Sequence, residues 1–404
     1  MRSIRDVLAA RVALRHALLL CLGLALSCAA CRQGVTPAPA TATALPSATA
    51  APPTATPAPP LYAPNQRFGF GISRRVGDVT LYDVALLHAG WYVDWSYAAD
   101  PPRPAGLEYA QLVPVGRGVR VDQGRVREVA LAQPGSLWLL GNEPERRALR
   151  VSSATDQYAD LTPDEYATIY HELYQVIKQA DPTAQIAVGG VVQPSPLRLR
   201  WLDLVLESYQ FQYGAPMPVD VWNIHIQIMR EKLDHAGCDG CWGADIPRGI
   251  EDVQEGLMLE IEDNADLEKL KGFVWAFRRW MKERGQQDKP LIISEYGVLM
   301  PSEYLGKTKD EGDEVVRRFM VESFDFFLET RDVELGYPQD QYRLVQRWAW
   351  YSLNEVPYQY SEALAAWIGF NGGLFDWQER EWPGALTPLG QAFADYTRAL
   401  REEP

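Results

Sequence analysis

Cysteine is the first scarcity. The 404-residue chain has five, and three of them fall within its first 31 residues. Only Cys238 and Cys241 remain for everything after, too few for a disulfide-stapled fold. Charge is missing altogether from Gln33 to Gln66. That stretch is almost all Pro, Ala, Thr and Ser, so it has little apolar surface to bury and stays extended, partly as polyproline II. Positive charge is in deficit: 39 Lys and Arg stand against 53 Asp and Glu, a formal net charge of −14. Such a balance argues against nucleic acid and anionic lipid as partners. The chain has no Gly-x-Ser-x-Gly elbow, no phosphate-binding loop, no dinucleotide fingerprint and no repeat of fixed short period. Their absence argues against a serine hydrolase, a nucleotide-binding enzyme and a solenoid.

What is present begins with a leader. Arg2, Arg5, Arg11 and Arg15 precede an apolar core from Ala17 to Leu26, too short to span a bilayer comfortably. Residues 1–31 therefore read as an export signal. Small residues before a cysteine resemble a lipobox, and Cys31 after Ala29-Ala30 fits best as the lipidated residue. Cys28 after Leu26-Ser27 is the rival, and plain cleavage after Ala30 is a third reading. Residues 32–65 form a disordered stalk, and residues 66–404 form the domain. Residues 1–30 carry four Arg and one Asp, net +3, so the chain from Cys31 has a charge of −17. In an exported protein, Cys238-Asp-Gly-Cys241 reads as a small local disulfide. A redox pair, or a metal site with His235, are the other readings. The expectation is an extracytoplasmic monomer that meets a membrane only through its lipid.

The domain alternates strand-like and helical runs. Strand-like runs are Phe68–Ile72, Ala89–Trp95, Tyr109–Val115, Ser136–Gly141, Gln185–Val192, Val219–Ile228, Leu291–Ser294 and Leu344–Ser352. Thr162-Pro163-Asp164-Glu165 supplies an N-cap, a Pro at the first helical position and the acid of a capping box. Apolar residues then recur at helical spacing to Ile177, as they do over Leu267–Arg284 and Asp313–Arg331. A last helix opens at Thr387-Pro388. Strand and helix alternating eight times give an α/β protein with a parallel sheet closed as a (β/α)8 TIM barrel. The helices after the first two strands are the weakest part of that pattern.

Two glutamates stand at strand ends. Glu143 follows the fourth, in Leu139-Leu140-Gly141-Asn142-Glu143-Pro144, and Glu295 ends the seventh, in Leu291-Ile292-Ile293-Ser294-Glu295. The C-terminal rim of such a barrel carries its active site. Two carboxylates delivered there are the minimal apparatus for cleaving a glycosidic bond. The element order and these two motifs resemble the clan A glycoside hydrolases. The resemblance implies that Glu143, after Asn142, is the acid/base and Glu295 the nucleophile of a retaining reaction on a poly- or oligosaccharide. No metal or organic cofactor is implied. Glu143 would start protonated, raised by burial and by its neighbour, while Glu295 stayed ionised.

Other residues are candidates for the sugar. Asn142 can bond its 2-hydroxyl. Asn223, His225 and Gln227 alternate with isoleucines on the sixth strand, which puts them on one face. His225 either positions the nucleophile or is a satisfied core histidine. Trp350 maps onto the clan's aromatic floor under the sugar, with packing against helices as the competing role. Tyr296 adjoins the nucleophile, and Trp91, Asp94 and Trp95 lie near the second strand. Thirteen Trp and nineteen Tyr suit a site that stacks on sugar faces, although core packing could absorb them. The loops 357–383 and 229–264 are candidate walls. Two rival functions remain: a non-catalytic carbohydrate-binding lipoprotein on the same fold, and a transglycosylase.

Overall fold

The computed structural model describes residues 60–74, 77–147, 159–233, 242–362 and 366–402. The expectations for the leader, for most of the stalk, for Cys28 and Cys31, and for the Cys238–Cys241 disulfide lie outside them. Leu61 and Tyr62, inside the expected stalk, touch the domain. The Leu61 amide donates to Asp340 Oδ1 at 3.0 Å, and Arg347 lies 5.0 Å from the centre of the Tyr62 ring.

Eight parallel strands form the barrel. They are β1 (Phe68–Gly71), β2 (Trp91–Val93), β3 (Glu108–Tyr109 and Gln111–Val113), β4 (Leu137–Asn142), β5 (Gln185–Gly190), β6 (Trp222–Ile226), β7 (Leu291–Tyr296) and β8 (Arg347–Trp350). β1 pairs with β2 and with β8, β2 with β3, β3 with β4, and β4 with β5. β6 joins β5 through the bridges Ala187–Val221 and Val191–Ile224 and pairs with β7, which pairs with β8. The ring is closed, and the two glutamates belong to its fourth and seventh strands.

Among the described residues, α-helices follow six of the eight strands. α1 (Gln123–Ala132), α2 (Pro163–Ala180), α3 (Pro196–Tyr213), α4 (Leu267–Glu283), α5 (Lys309–Glu329) and α6 (Pro388–Glu402) follow β3 to β8. α2 carries the expected capping box, with the Thr162 amide donating to Glu165 at 2.9 Å. After β1 and β2 the connections are 3-10 turns, Val79–Leu81, Val84–Leu87 and Pro104–Gly106, so the eightfold helix alternation is corrected there. Each is three or four residues long, a single tight turn rather than a packed helix. α6 covers part of the gap, with Thr397 Oγ1 donating to the Leu87 carbonyl at 2.8 Å.

Strand residues alternate between two apolar layers. Trp91, Val93, Leu112, Leu139, Ala187, Ile292 and Ala349 fill the barrel interior. Phe68, Phe70, Leu140, Ile224, Ile293, Trp348 and Trp350 face the helices, among Tyr166, Phe277, Phe324 and Phe327. Phe68 meets Trp348 edge-on at 4.8 Å and Phe324 at 5.0 Å. Such pairs add roughly 0.5–1.5 kcal/mol each beyond area burial. Six of the tryptophans are fully buried, so the core takes much of the aromatic content.

Candidate active site

The turn after β4 aims Glu143 across the mouth. Glu143 sits in the left-handed region at φ 43°, which a β-carbon disfavours by about 1–2 kcal/mol. Its neighbours hold it there. The Glu143 amide donates to the Gly190 carbonyl at 3.0 Å. Two residues on, Glu145 is wholly buried, accepting from Arg198 Nε at 2.8 Å and from the Val192 amide at 2.9 Å. Arg198 also pairs with buried Glu231. The strained residue is thus held between a strand bond and a buried ionic network.

A bulge does the equivalent work on β7. Ile224 pairs with Ile293, but the next partners are His225 and Glu295, so Ser294 is an extra residue. The bulge brings two consecutive side chains against one imidazole. Ser294 Oγ lies 3.1 Å from His225 Nε2, and Glu295 Oε2 lies 4.0 Å from Nδ1. His225 Nδ1 also lies 3.2 Å from Glu143 Oε1. One oxygen from each glutamate and a ring nitrogen of His225 lie within 4.8 Å of one another. The ring fits because β5 ends in Gly190, where a β-carbon would overlap it.

The two carboxylates have different partners. Arg146 Nη1 donates to Glu143 Oε2 at 2.9 Å in a mostly buried ion pair. Glu295 has neutral donors: Gln227 Nε2 at 2.8 Å and Trp95 Nε1 at 3.2 Å. Trp95 Nε1 also lies 3.1 Å from Asn142 Oδ1, and its ring needs Gly71, where a β-carbon would come within 2.7 Å. These partners decide the ionisation. Burial pushes Glu143 upward, but the Arg146 guanidinium and the His225 bond outweigh it and hold the carboxyl at about 2. Burial raises Glu295 to about 7, opposed by His225 and reinforced by the charge on Glu143. Burial lowers His225, yet Glu295 and Glu143 more than offset this and raise it. These partners favour the charge on Glu143 and the proton on Glu295, the opposite of the expected order. The reason is Arg146.

The structure brings together Glu143, Glu295, Asn142, His225, Gln227 and Trp95, but not Trp350, Tyr296, Trp91, Asn223 or Asp94. Trp350 lies between barrel and helices, donating to the Gly372 carbonyl at 2.8 Å and packed edge-on to Tyr296. Tyr296 faces the same way, its hydroxyl 3.0 Å from Ser323 Oγ on α5. Both roles are corrected by strand alternation: Ala349 points in, so Trp350 points out. Trp91 is in the interior, bonded to the Arg67 carbonyl. Asn223 pins β5 to β7, donating to the Val188 carbonyl and accepting from the Ser294 amide. Asp94 is held by Arg74 at 2.6 Å.

Some site residues escaped the sequence reading. Arg146 gave no signal beyond its three-residue spacing from Glu143. Ser294 became available only through the bulge. Tyr351 packs on Trp95 with ring centres 5.7 Å apart and donates to Glu355 at 2.8 Å. Glu355 also lines a cleft of about 680 Å³ with Tyr358, Phe370 and Trp377, residues of the loop expected to form a wall. Glu143, His225 and Glu295 also have the composition of a metal site. Yet each carboxylate oxygen already lies against a protein partner: His225, Arg146, Gln227 or Trp95.

No family model and no curated protein matches the sequence. Solved structures do resemble the fold. An oligosaccharide-binding protein of glycoside hydrolase family 128, subgroup VII, from Trichoderma gamsii is 15% identical, with a TM-score of 0.44 over 86% of this chain and 100% of that one. A family 51 alpha-L-arabinofuranosidase from Bifidobacterium longum is 13% identical, at 0.48 over 85% and 74%. Xylanase 10B from Thermotoga petrophila RKU-1, in complex with xylobiose, is 13% identical, at 0.45 over 83% and 95%. These neighbours are clan A glycoside hydrolase structures. The likeness is low in each case, and the barrel and the carboxylate pair stand on this chain's own geometry.

Proposed function

We propose that this protein is a retaining β-glycoside hydrolase acting on a poly- or oligosaccharide, with Glu143 as acid/base and Glu295 as nucleophile. The observation that carries the reading is two carboxylates facing each other from the ends of β4 and β7, with one oxygen of each within 4.8 Å. Double displacement uses a close pair of carboxyl groups, roughly 5–5.5 Å apart, on either side of the bond to be cleaved. Glu295 attacks the anomeric carbon as the glycosidic C–O bond breaks, and Glu143 gives its proton to the leaving oxygen. Glu143 then takes a proton from water as that water attacks the same carbon and releases Glu295. The pair needs one shared proton, and burial favours Glu295 as its holder before substrate binds. His225 stands between the two carboxylates, its Nδ1 3.2 Å from Glu143 Oε1 and 4.0 Å from Glu295 Oε2. A ring movement that closes the longer gap would let Nδ1 take the proton from Glu295 and pass it to Glu143. The signal-like residues 1–31 and the uncharged segment after them support an enzyme held outside the cytoplasm by a lipid on Cys31.

The Glu143–Arg146 pair favours a second reading, sugar binding without turnover, because an ionised Glu143 cannot donate a proton. Hydrolysis of aryl β-glycosides and oligosaccharides separates the two. Glu295→Ala should abolish turnover. Glu143→Ala should lower it by about 10²–10⁴-fold, with azide restoring release of an activated leaving group as the β-glycosyl azide. Equal rates in wild type and both variants would sink the assignment, and sugar binding without any turnover would establish the second reading.

A further inference from the structure

We propose that Arg146 receives an anionic group of the substrate, so that the site takes an acidic glycan bearing a uronosyl carboxylate or a sulfate ester. The inference rests on the glycosidase reading and names its substrate class. Arg146 leaves the β4 turn three residues after Glu143 and reaches back to it at 2.9 Å. Its side chain is 18% exposed and that of Glu143 6%, so the arginine is the more accessible member of the pair. Among the described residues, Arg146 is the permanently charged side chain recorded within ion-pair distance of Glu143.

The chemistry of the pair sets the requirement. While the guanidinium stays on it, Glu143 is held in its ionised form, so drawing the guanidinium off favours the protonated acid. Pulling apart a largely buried ion pair is strongly unfavourable when the cation gains nothing in exchange. A neutral sugar offers hydroxyls alone. A carboxylate or sulfate offers two oxygens to the planar guanidinium fork, the strongest exchange available to it. The substrate would then replace Glu143 as the counter-ion and leave it free to protonate. Discrimination follows from the same exchange, since a neutral analogue leaves Glu143 ionised. The chain's net charge of −14 opposes this only at long range, where salt screens it beyond roughly 8–10 Å.

The test compares wild type, Arg146→Ala and Arg146→Lys on aryl β-glycosides that differ only at C6. These are a neutral glucoside, the glucuronide and the 6-sulfated glucoside, with the galacto series run in parallel. Wild type should prefer an anionic member over its neutral counterpart by at least about 10-fold in kcat/KM, and which anion wins separates carboxylate from sulfate. Arg146→Ala should lose roughly 100-fold on that member and gain on the neutral one, with Arg146→Lys between. The alkaline limb of its pH–rate profile should move to higher pH, because a carboxylate has lost its cation. A wild-type preference for the neutral sugar would overturn the proposal. So would equal losses on both substrates in Arg146→Ala with an unmoved limb. If wild type turns over no glycoside, the hydrolase reading fails instead, and calorimetric binding decides. Anionic-sugar binding lost in Arg146→Ala upholds the recognition role, and equal binding of neutral and anionic sugars removes it.

Discussion

Two glutamates of one residue type acquire opposite ionisation because one has a cation for a partner and the other has neutral amide and indole donors. The consequence for Glu295 can be measured. Its folded value, about 7, stands above the ordinary 4.5, so the folded protein holds a proton that the unfolded chain releases. Stability from that group is complete below about 4.5 and is lost as pH rises through 7, leaving a buried charge. Glu295→Gln removes the charge. Gln227 can turn its amide to suit, since its own Oε1 is buried without a partner. Relative to wild type, the variant should therefore gain about 1–3 kcal/mol between pH 5 and pH 8, read from melting curves. An unchanged difference across that range would show that Glu295 is not raised. Glu143 does not interfere: its stabilisation, present above the ordinary range, fades only as pH falls toward 2.

At the scale of elements, the site depends on two departures from regularity, the left-handed residue after β4 and the bulge in β7. Neither could be read from hydrophobic pattern, which reports the period of a strand and not its interruption. The same pattern, applied residue by residue, would have turned Trp350 outward, because Trp348 and Trp350 flank inward Ala349. Gly190 is where these elements meet, since β5 must leave room for His225. Gly190→Ala should cost about 1–3 kcal/mol and displace the ring from both carboxylates, lowering kcat by at least about 10-fold. Melting temperature and kcat measured together check this. A variant with wild-type values in both would mean that the ring has space to spare.

Across the whole molecule, ring closure joins residues far apart in sequence. Arg67, just before β1, grips Asp340, just before β8, with two bonds of 2.7 Å, and both are fully buried. Asp340 also accepts from the Leu61 amide, so the segment leading into β1 is tied to the same point. Asp340→Ala would leave a buried guanidinium without its counter-charge. A loss of about 3–5 kcal/mol is expected from denaturant unfolding, and a loss below about 1 kcal/mol would show that Arg67 finds another partner.

The sequence by itself determined the barrel, the count of its strands and the delivery of Glu143 and Glu295 to strands four and seven. These follow from local periodicity, caps and turn residues, which act over a few positions. It also singled out Asn142 and His225, through adjacency to Glu143 and alternation along β6. Only the tertiary structure decided that Arg146 neutralises Glu143, that Ser294 joins the site, and that Trp350 and Tyr296 leave it. Those outcomes depend on which side chains meet across a closed ring. The charge state of a buried carboxylate is set by groups within a few ångströms, and their distance along the chain bears no relation to their distance in space.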